Sequence, residues 1–359
     1  HNRRVDVMVS AIMDPAQVPI LVPTTRRTAT VTFRGERTTY RTHHESRMSY
    51  YAEAFMLTGT RPARSLDEVP TQGERPADPR LRRSADVYAN LISQGVAVSE
   101  AKMLAAISYS EGGFGSPQTV DLVRVSYGIL SFQGHALMRV LRRLRDDYPG
   151  VFSEYLESYG ITIAERGRTP SPVERETRTI AGRAEGFQTH EAYGVDQLLV
   201  YDHRTREWVS GNEGLAVIQG DPRYQALFVA AGSTSAMQTV QMMEARSSFV
   251  HGVRNERLTL GRGEDRRALQ VKDFVNNEVA MFGLVDRKVA SGNIGFATAM
   301  FNGYLEARSI TAADLPARSQ SDIAVWVRGY SAGIRWELAD QLERAGIAAL
   351  RDDAYEGAV

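Results

Sequence analysis

Cysteine is absent from the 359 residues, which removes disulfides, zinc thiolate sites and thiol nucleophiles together. Lysine is nearly absent as well, Lys102, Lys272 and Lys288 being the only ones. Arginine therefore carries almost all the positive charge, and its planar fork suits fixed, bidentate pairs. Lys+Arg and Asp+Glu balance at 43 each, so there is no long-range basic field to gather nucleic acid or anionic lipid. Nucleic acid is not expected as a partner. No run of about 18 apolar residues occurs, so no membrane span is expected either. His190 and His203, the latter beside Asp202, are accompanied by no Gly-x-Ser-x-Gly elbow. Gly261-Arg-Gly263 lacks the Lys-Ser or Lys-Thr of a phosphate loop and reads as a turn. His43-His44-Glu45 alternate across a strand, and no second cluster has metal-ligand spacing. Neither a metal nor a cofactor is expected.

What the chain does have is 43% hydrophobic residues, enough for a sizeable core. Residues 1–57 read as an extended, β-rich arm. Ala29-Thr-Val-Thr-Phe33 and Thr38-Thr-Tyr-Arg-Thr42 flank Arg34-Gly-Glu-Arg37 as a hairpin would. Such an arm has the means to dock on a neighbouring subunit. Residues 58–83 are rich in proline and charge and read as a linker or surface loop. The segment 84–310 reads as the main domain, with a polar excursion at 165–185, and 311–359 as a C-terminal helical segment.

Helical signals dominate from residue 84. Ser99 is placed to cap a helix through Met103, Leu104 and Ile107 to Glu111, where Gly112-Gly113 stops it. Residues 120–133 alternate like one or two short strands. Ala136–Tyr148 has Leu137, Val140, Leu141 and Leu144 on one face. Asp221-Pro222 starts a further helix that Gly232 ends. Longer helical candidates run over 234–249, 268–291, 296–308 and 322–351. Trp326, Tyr330 and Trp336 form a stripe that reads as core packing rather than a sugar platform.

Two carboxyl groups facing one cleft are what hydrolysis of a glycosidic bond requires. Glu111 falls at the negative end of its helix, which disfavours the ionised form, so it is the expected general acid. Asp121, ten residues on at the start of the expected hairpin, is the expected second carboxylate. Ser126, Tyr127 and Gln133 follow at a distance suited to lining the same groove, and Asp286 sits in a later helical stripe of Phe282, Val285 and Val289.

Ser110-Glu111-Gly-Gly-Phe114, followed by Val125-Ser-Tyr-Gly-Ile-Leu-Ser-Phe132, resembles the core of the lysozyme-like superfamily. The resemblance spans roughly residues 95–300 and is nearest to chitosanase-type glycoside hydrolases and lytic transglycosylases. Glu278 to Gly292 is similar to the C-terminal Asp-containing helix of the chitosanase branch, which makes Asp286 a groove residue. The chain departs from the transglycosylase pattern in having Ser131 just after the Gly and apolar pair, with Gln133 two positions later. The resemblance implies a mainly α (α+β) fold, with a lysozyme-like helical core and a small β-hairpin at the cleft. It also implies a glycoside hydrolase acting on an amino-sugar polymer, peptidoglycan ahead of chitosan, at an extracellular or periplasmic location. The competing expectation is an inactive lysozyme-like structural or cell-wall-binding component of a phage tail or contractile injection device.

Overall fold

In the computed structural model, described residues are 27–33, 36–45, 51–57, 79–118, 125–163, 198–202, 204–205, 207–330 and 333–356. They are mostly helical, with small antiparallel sheets, as a mainly α fold requires. Among them no helix is long and apolar enough to cross a membrane. The chain divides into one unit of His1–Thr71 with Phe114–Gln241 and a second of Gln72–Gly113 with Met242–Val359. The segments 84–310 and 311–359 marked out from sequence therefore both contribute to the second unit.

In the first unit, β1 (Arg27–Phe33), β2 (Glu36–Glu45) and β3 (Tyr51–Leu57) pair antiparallel in that order. Phe33 opposes Glu36 in the register of the first pair. Of the one or two short strands expected over 120–133, the described residues hold β5 (Ser126–Tyr127), which pairs with β4 (Pro117–Gln118), two residues each. Ser126 and Tyr127 are both fully buried, as are Val125 and Ile129, and so no strand face alternates toward solvent. A turn then brings Phe132 back to Tyr127, whose amide donates to the Phe132 carbonyl at 3.0 Å. Gly128 makes that turn at φ 86°.

Helix α1 (Pro79–Ser93) and helix α2 (Val98–Glu111) belong to the second unit. Back in the first unit, α3 (Gly134–Asp147) buries the expected stripe of Leu137, Val140, Leu141 and Leu144. Pro149 then opens α4 (Pro149–Tyr155), since its missing N–H is harmless at a helix start. Strands β6 (Ile161–Ile163), β7 (Leu198–Asp202) and β8 (Glu207–Ser210) form a second three-stranded sheet. Three helices follow: α5 (Gly211–Gly220), α6 (Pro222–Gly232) and α7 (Ser235–Glu244). Gln241 of α7 holds this unit's core, its Nε2 donating to the Phe114 carbonyl at 2.7 Å while its Oε1 accepts from the Ile129 amide at 3.2 Å.

The chain continues from α7 through a π-helical turn (Ala245–Val250) into α8 (His251–Arg254). The helix expected over 268–291 is shorter. Its first part is the strand β10 (Arg267–Gln270), paired with β9 (Arg257–Leu260) across a turn in which Gly261 and Gly263 have φ of 83° and 57°. The helix α9 begins only at Glu278 (Glu278–Ser291), where the Asn277 side chain accepts from the Ala280 amide. Helix α10 (Phe296–Arg308) has the expected bounds. The long helix expected over 322–351 is broken into α11 (Gln320–Gly329), α12 (Trp336–Ala339) and α13 (Gln341–Arg344). Gly333 and Gly346, at φ of 72° and 75°, interrupt it. Trp326 and Trp336 pack inward: the first donates its indole N–H to the Met300 carbonyl, and the second lies 5.7 Å from the Phe282 ring.

A methyl group on Gly128 would sit 2.2 Å from Gln241 Oε1, at a backbone angle that L side chains resist. Gly128→Ala is therefore expected to cost on the order of 2 kcal/mol of unfolding free energy. Urea denaturation measures this, and a loss below about 0.5 kcal/mol would show that the Gln241 bridge gives way freely.

Candidate functional site

Helix α2 is a core helix, with every residue from Ser99 to Ser108 buried. It stops at Glu111 because Gly112 takes φ 141°, where its amide still reaches the Ser108 carbonyl at 3.0 Å. The start differs from the expected cap. Ala97 is the N-cap, and the Ser99 hydroxyl instead donates to Glu278 at 2.6 Å. The helix end delivers Glu111 to the margin of the core with its side chain 17% exposed.

Asp286 comes from α9, its side chain with no exposed surface. A charge so placed needs a cation and hydrogen-bond donors. Arg335 supplies them from the turn before α12. Its backbone amide donates to Oδ2 at 2.9 Å and its Nε to Oδ1 at 2.9 Å. Its Nη2 lies 2.6 Å from Oδ1 as an ion contact outside hydrogen-bond alignment. The other arm, Nη1, donates to Glu111 Oε1 and, at 2.9 Å, to the Ser110 hydroxyl. One guanidinium thus links two carboxylates, Glu111 at the margin and Asp286 in the interior. Room for this comes from Gly283, where a Cβ would meet Trp336 at 3.0 Å and Ile334 at 3.1 Å.

Burial raises the Asp286 carboxyl above its ordinary range, with the Arg335 charge and hydrogen bonds pulling the other way. Burial works against the charge on Arg335 too, but Glu111 and Asp286 outweigh it and raise the guanidinium further above its usual value. It stays protonated at any working pH.

The structure therefore brings together two of the residues singled out from sequence, Glu111 and Asp286, through a third that was not. The signal for Arg335 lay in Asp286 itself, since an aspartate in an apolar helical stripe calls for a cation, and arginine is nearly the only cation in the chain. Asp121, and with it the expected pairing to Glu111, lies outside the described residues. Ser126 is fully buried, and its hydroxyl has no hydrogen-bond partner among the described residues. Tyr127 corrects the expectation of a groove residue. It is a core residue with no exposed surface, its ring 5.0 Å from that of Phe228 and its hydroxyl donating to the Phe228 carbonyl at 2.8 Å. Burial raises its phenol, against a smaller opposing effect from Gln241. Gln133 is the N-cap residue of α3, and its buried Oε1 likewise has no partner among the described residues. His203 and the excursion at 165–185 lie outside the described residues, as do the side chains of His43 and His44. Among the described residues no group of three or more His, Asp or Glu could hold a metal ion.

Comparison with protein-family models, with curated proteins and with solved structures returns no match for this chain.

Two predictions follow the geometry of the site. Arg335→Met keeps the stem but leaves Asp286 buried without its cation, an arrangement that costs about 3–5 kcal/mol. Urea unfolding checks it, and a loss under about 1 kcal/mol would mean that Asp286 finds water or another donor. The second concerns pH. Because the folded state raises the Asp286 carboxyl, it binds that proton more tightly than the unfolded chain does. The stabilisation is complete below the unfolded value near 3.9 and is lost as pH rises through the raised folded value. The unfolding free energy of the wild type minus that of Asp286→Asn should therefore climb as pH is lowered from 7 toward 4. A difference that stays flat, or falls, would contradict the burial effect.

Proposed function

We propose that the protein is a glycoside hydrolase or lytic enzyme acting on an amino-sugar polymer, peptidoglycan ahead of chitosan, with a lysozyme-like helical core. The observation that carries this reading is the placement of Glu111, the last residue of a buried helix. There it is held by an arginine that is itself anchored on a buried aspartate. The anchoring is unequal. Asp286 receives two hydrogen bonds and an ion contact from Arg335, whereas Glu111 receives one bond from a single arm. Once the Arg335 arm and the Ser110 hydroxyl release it, the Glu111 carboxylate takes up a proton from solvent and, turned toward a glycosidic oxygen, can donate it as a general acid.

In this reading Glu111 is the general acid, and Asp121 the second carboxylate that activates water or attacks the sugar. Ser126, fully buried, does not meet the sugar, and its unpartnered hydroxyl is a place for an internal water. Gln133 offers a second acceptor of the same kind. Asp286 acts through Arg335 and does not touch sugar. The polymer would be met outside the cell or in the periplasm.

A second reading is favoured by the same ion network. A carboxylate tied to Arg335, Ser110 and Asp286 is also what a purely structural ion cluster contains, as in a non-catalytic lysozyme-like subunit of a phage tail or injection device.

Release of soluble fragments from purified peptidoglycan, and separately from chitosan, discriminates between the two. The intact protein should release fragments from one of them. Glu111→Gln, which keeps the shape and removes the proton, should lower the rate about 10²- to 10⁴-fold. No release from either polymer by the intact protein would sink the hydrolase reading and leave the structural one.

A further inference from the structure

The chain beyond Arg335 runs back along α2. Arg335 meets Glu111 and Ser110 at the last turn of that helix. Helices α12 and α13 then pack against it. Farther on, the Ala349 carbonyl accepts from Lys102 Nζ at 3.0 Å, and the Glu356 amide donates to the Ser99 hydroxyl at 2.7 Å. The order of partners is reversed relative to α2, with 335 on 111, 349 on 102 and 356 on 99. Residues 335–356 are thus a strap laid antiparallel along a helix of 14 residues.

The far end of the strap is fastened to α9 as well. Glu278, the first residue of α9, has no exposed side-chain surface. It accepts from the Ser99 hydroxyl at 2.6 Å, from Lys102 Nζ at 3.1 Å and from the Arg351 amide at 2.7 Å. In return the Arg351 carbonyl accepts from the Glu278 and Val279 amides at 3.0 and 3.2 Å, two of the donors that a helix start leaves orphaned. The near end is fastened to the same helix through Asp286, eight residues on, or about 12 Å along the axis. Each end of the strap therefore grips both α2 and α9, one through Glu278 and the other through Arg335.

We infer that Glu278 is a positioning residue for the Glu111 site. By gathering Ser99, Lys102 and Arg351 it fixes the register of the strap on the two helices, and so holds Arg335 between Asp286 and Glu111. It touches no reacting group. The inference concerns where Arg335 is held, and rests on the hydrolase reading only for its kinetic consequence.

The test uses the full chain and two variants, Glu278→Gln, which removes the charge, and Ser99→Ala, which keeps both charges and removes one donor. Hydrogen exchange is followed by NMR at Arg335 Nε–H, which donates to Asp286, and at the Trp326 indole N–H, which donates to the Met300 carbonyl and serves as an internal reference. Exchange at Arg335 should accelerate at least about tenfold in Glu278→Gln and about threefold in Ser99→Ala, with Trp326 nearly unchanged. On a polymer that the wild type cleaves, kcat should fall while KM stays near its wild-type value. An unchanged Arg335 signal overturns the inference. So does a joint rise at Arg335 and Trp326, which would report general loosening. If the wild type cleaves neither polymer, the hydrolase reading fails, and the exchange comparison still decides the role of Glu278.

Discussion

Three carboxylates whose side chains have no exposed surface, Glu100, Glu278 and Asp286, govern how the second unit is assembled. An ion cut off from water is tolerated only when donors and an opposite charge replace its hydration, and stripping one partner from such a pair costs about 3–5 kcal/mol. Glu100 and Glu278 sit in the first turns of α2 and α9, where helix amides and the dipole favour negative charge. Asp286 lies further along α9 and depends on Arg335 alone among the groups described. The path of the C-terminal residues follows from these demands, since they bring Arg335, Arg351 and Tyr355 to the three acids in turn.

The π-helical turn answers the demand at Glu100. In an α-helix, residues five apart point about 140° away from each other around the axis. A turn bonded from i to i+5 brings them to one face. Arg246, within this turn, and His251, the residue that follows it, are five apart, and both reach Glu100, at 2.6 Å to Oε2 and 3.0 Å to Oε1. The turn is thus a local distortion of the helix that satisfies a buried acid. Tyr355 joins the same oxygen as His251, with the Arg254 guanidinium 4.7 Å from its ring, which ties the end of the strap to this cluster.

Periodicity and punctuation made much of the helical content legible. The stripe of α3, the bounds of α10, and the stop of α2 at Gly112 follow from spacing, since each reports which side of a helix meets the core. Glu111 was legible for the same reason. Its partner was not, because Arg335 lies 224 residues away and spacing carries no information on contacts at that range. Ser99 illustrates the same limit, as a good cap by its position that a carboxylate 179 residues distant takes for itself. The hairpin of β9 and β10 was hidden because four-residue strands alternate too briefly to outweigh neighbouring helix formers. Tyr127 was misplaced because an aromatic beside a small residue and a glycine fits a groove wall and a packed turn equally well, and only the Phe228 carbonyl distinguishes them.

The nature of the cation at each acid follows from geometry rather than charge alone. At Asp286 and Glu111 the partner must reach two carboxylates and the Ser110 hydroxyl from different directions, which takes the separated nitrogens of a guanidinium. At Glu278 the charge is met by two separate cations, Lys102 and the Arg351 guanidinium, whose Nε lies 3.5 Å from Oε1. Lys102 Nζ serves the carboxylate and the Ala349 carbonyl from a single point, and this is where one of the three lysines in the chain is used. A fork is also what allows unequal loyalty. Arg335 can release Glu111 from one arm and remain fixed to Asp286 by the others. The mobility that a proton-donating Glu111 would need is thus compatible with a rigid interior, because the arm that opens and the arms that hold belong to the same side chain.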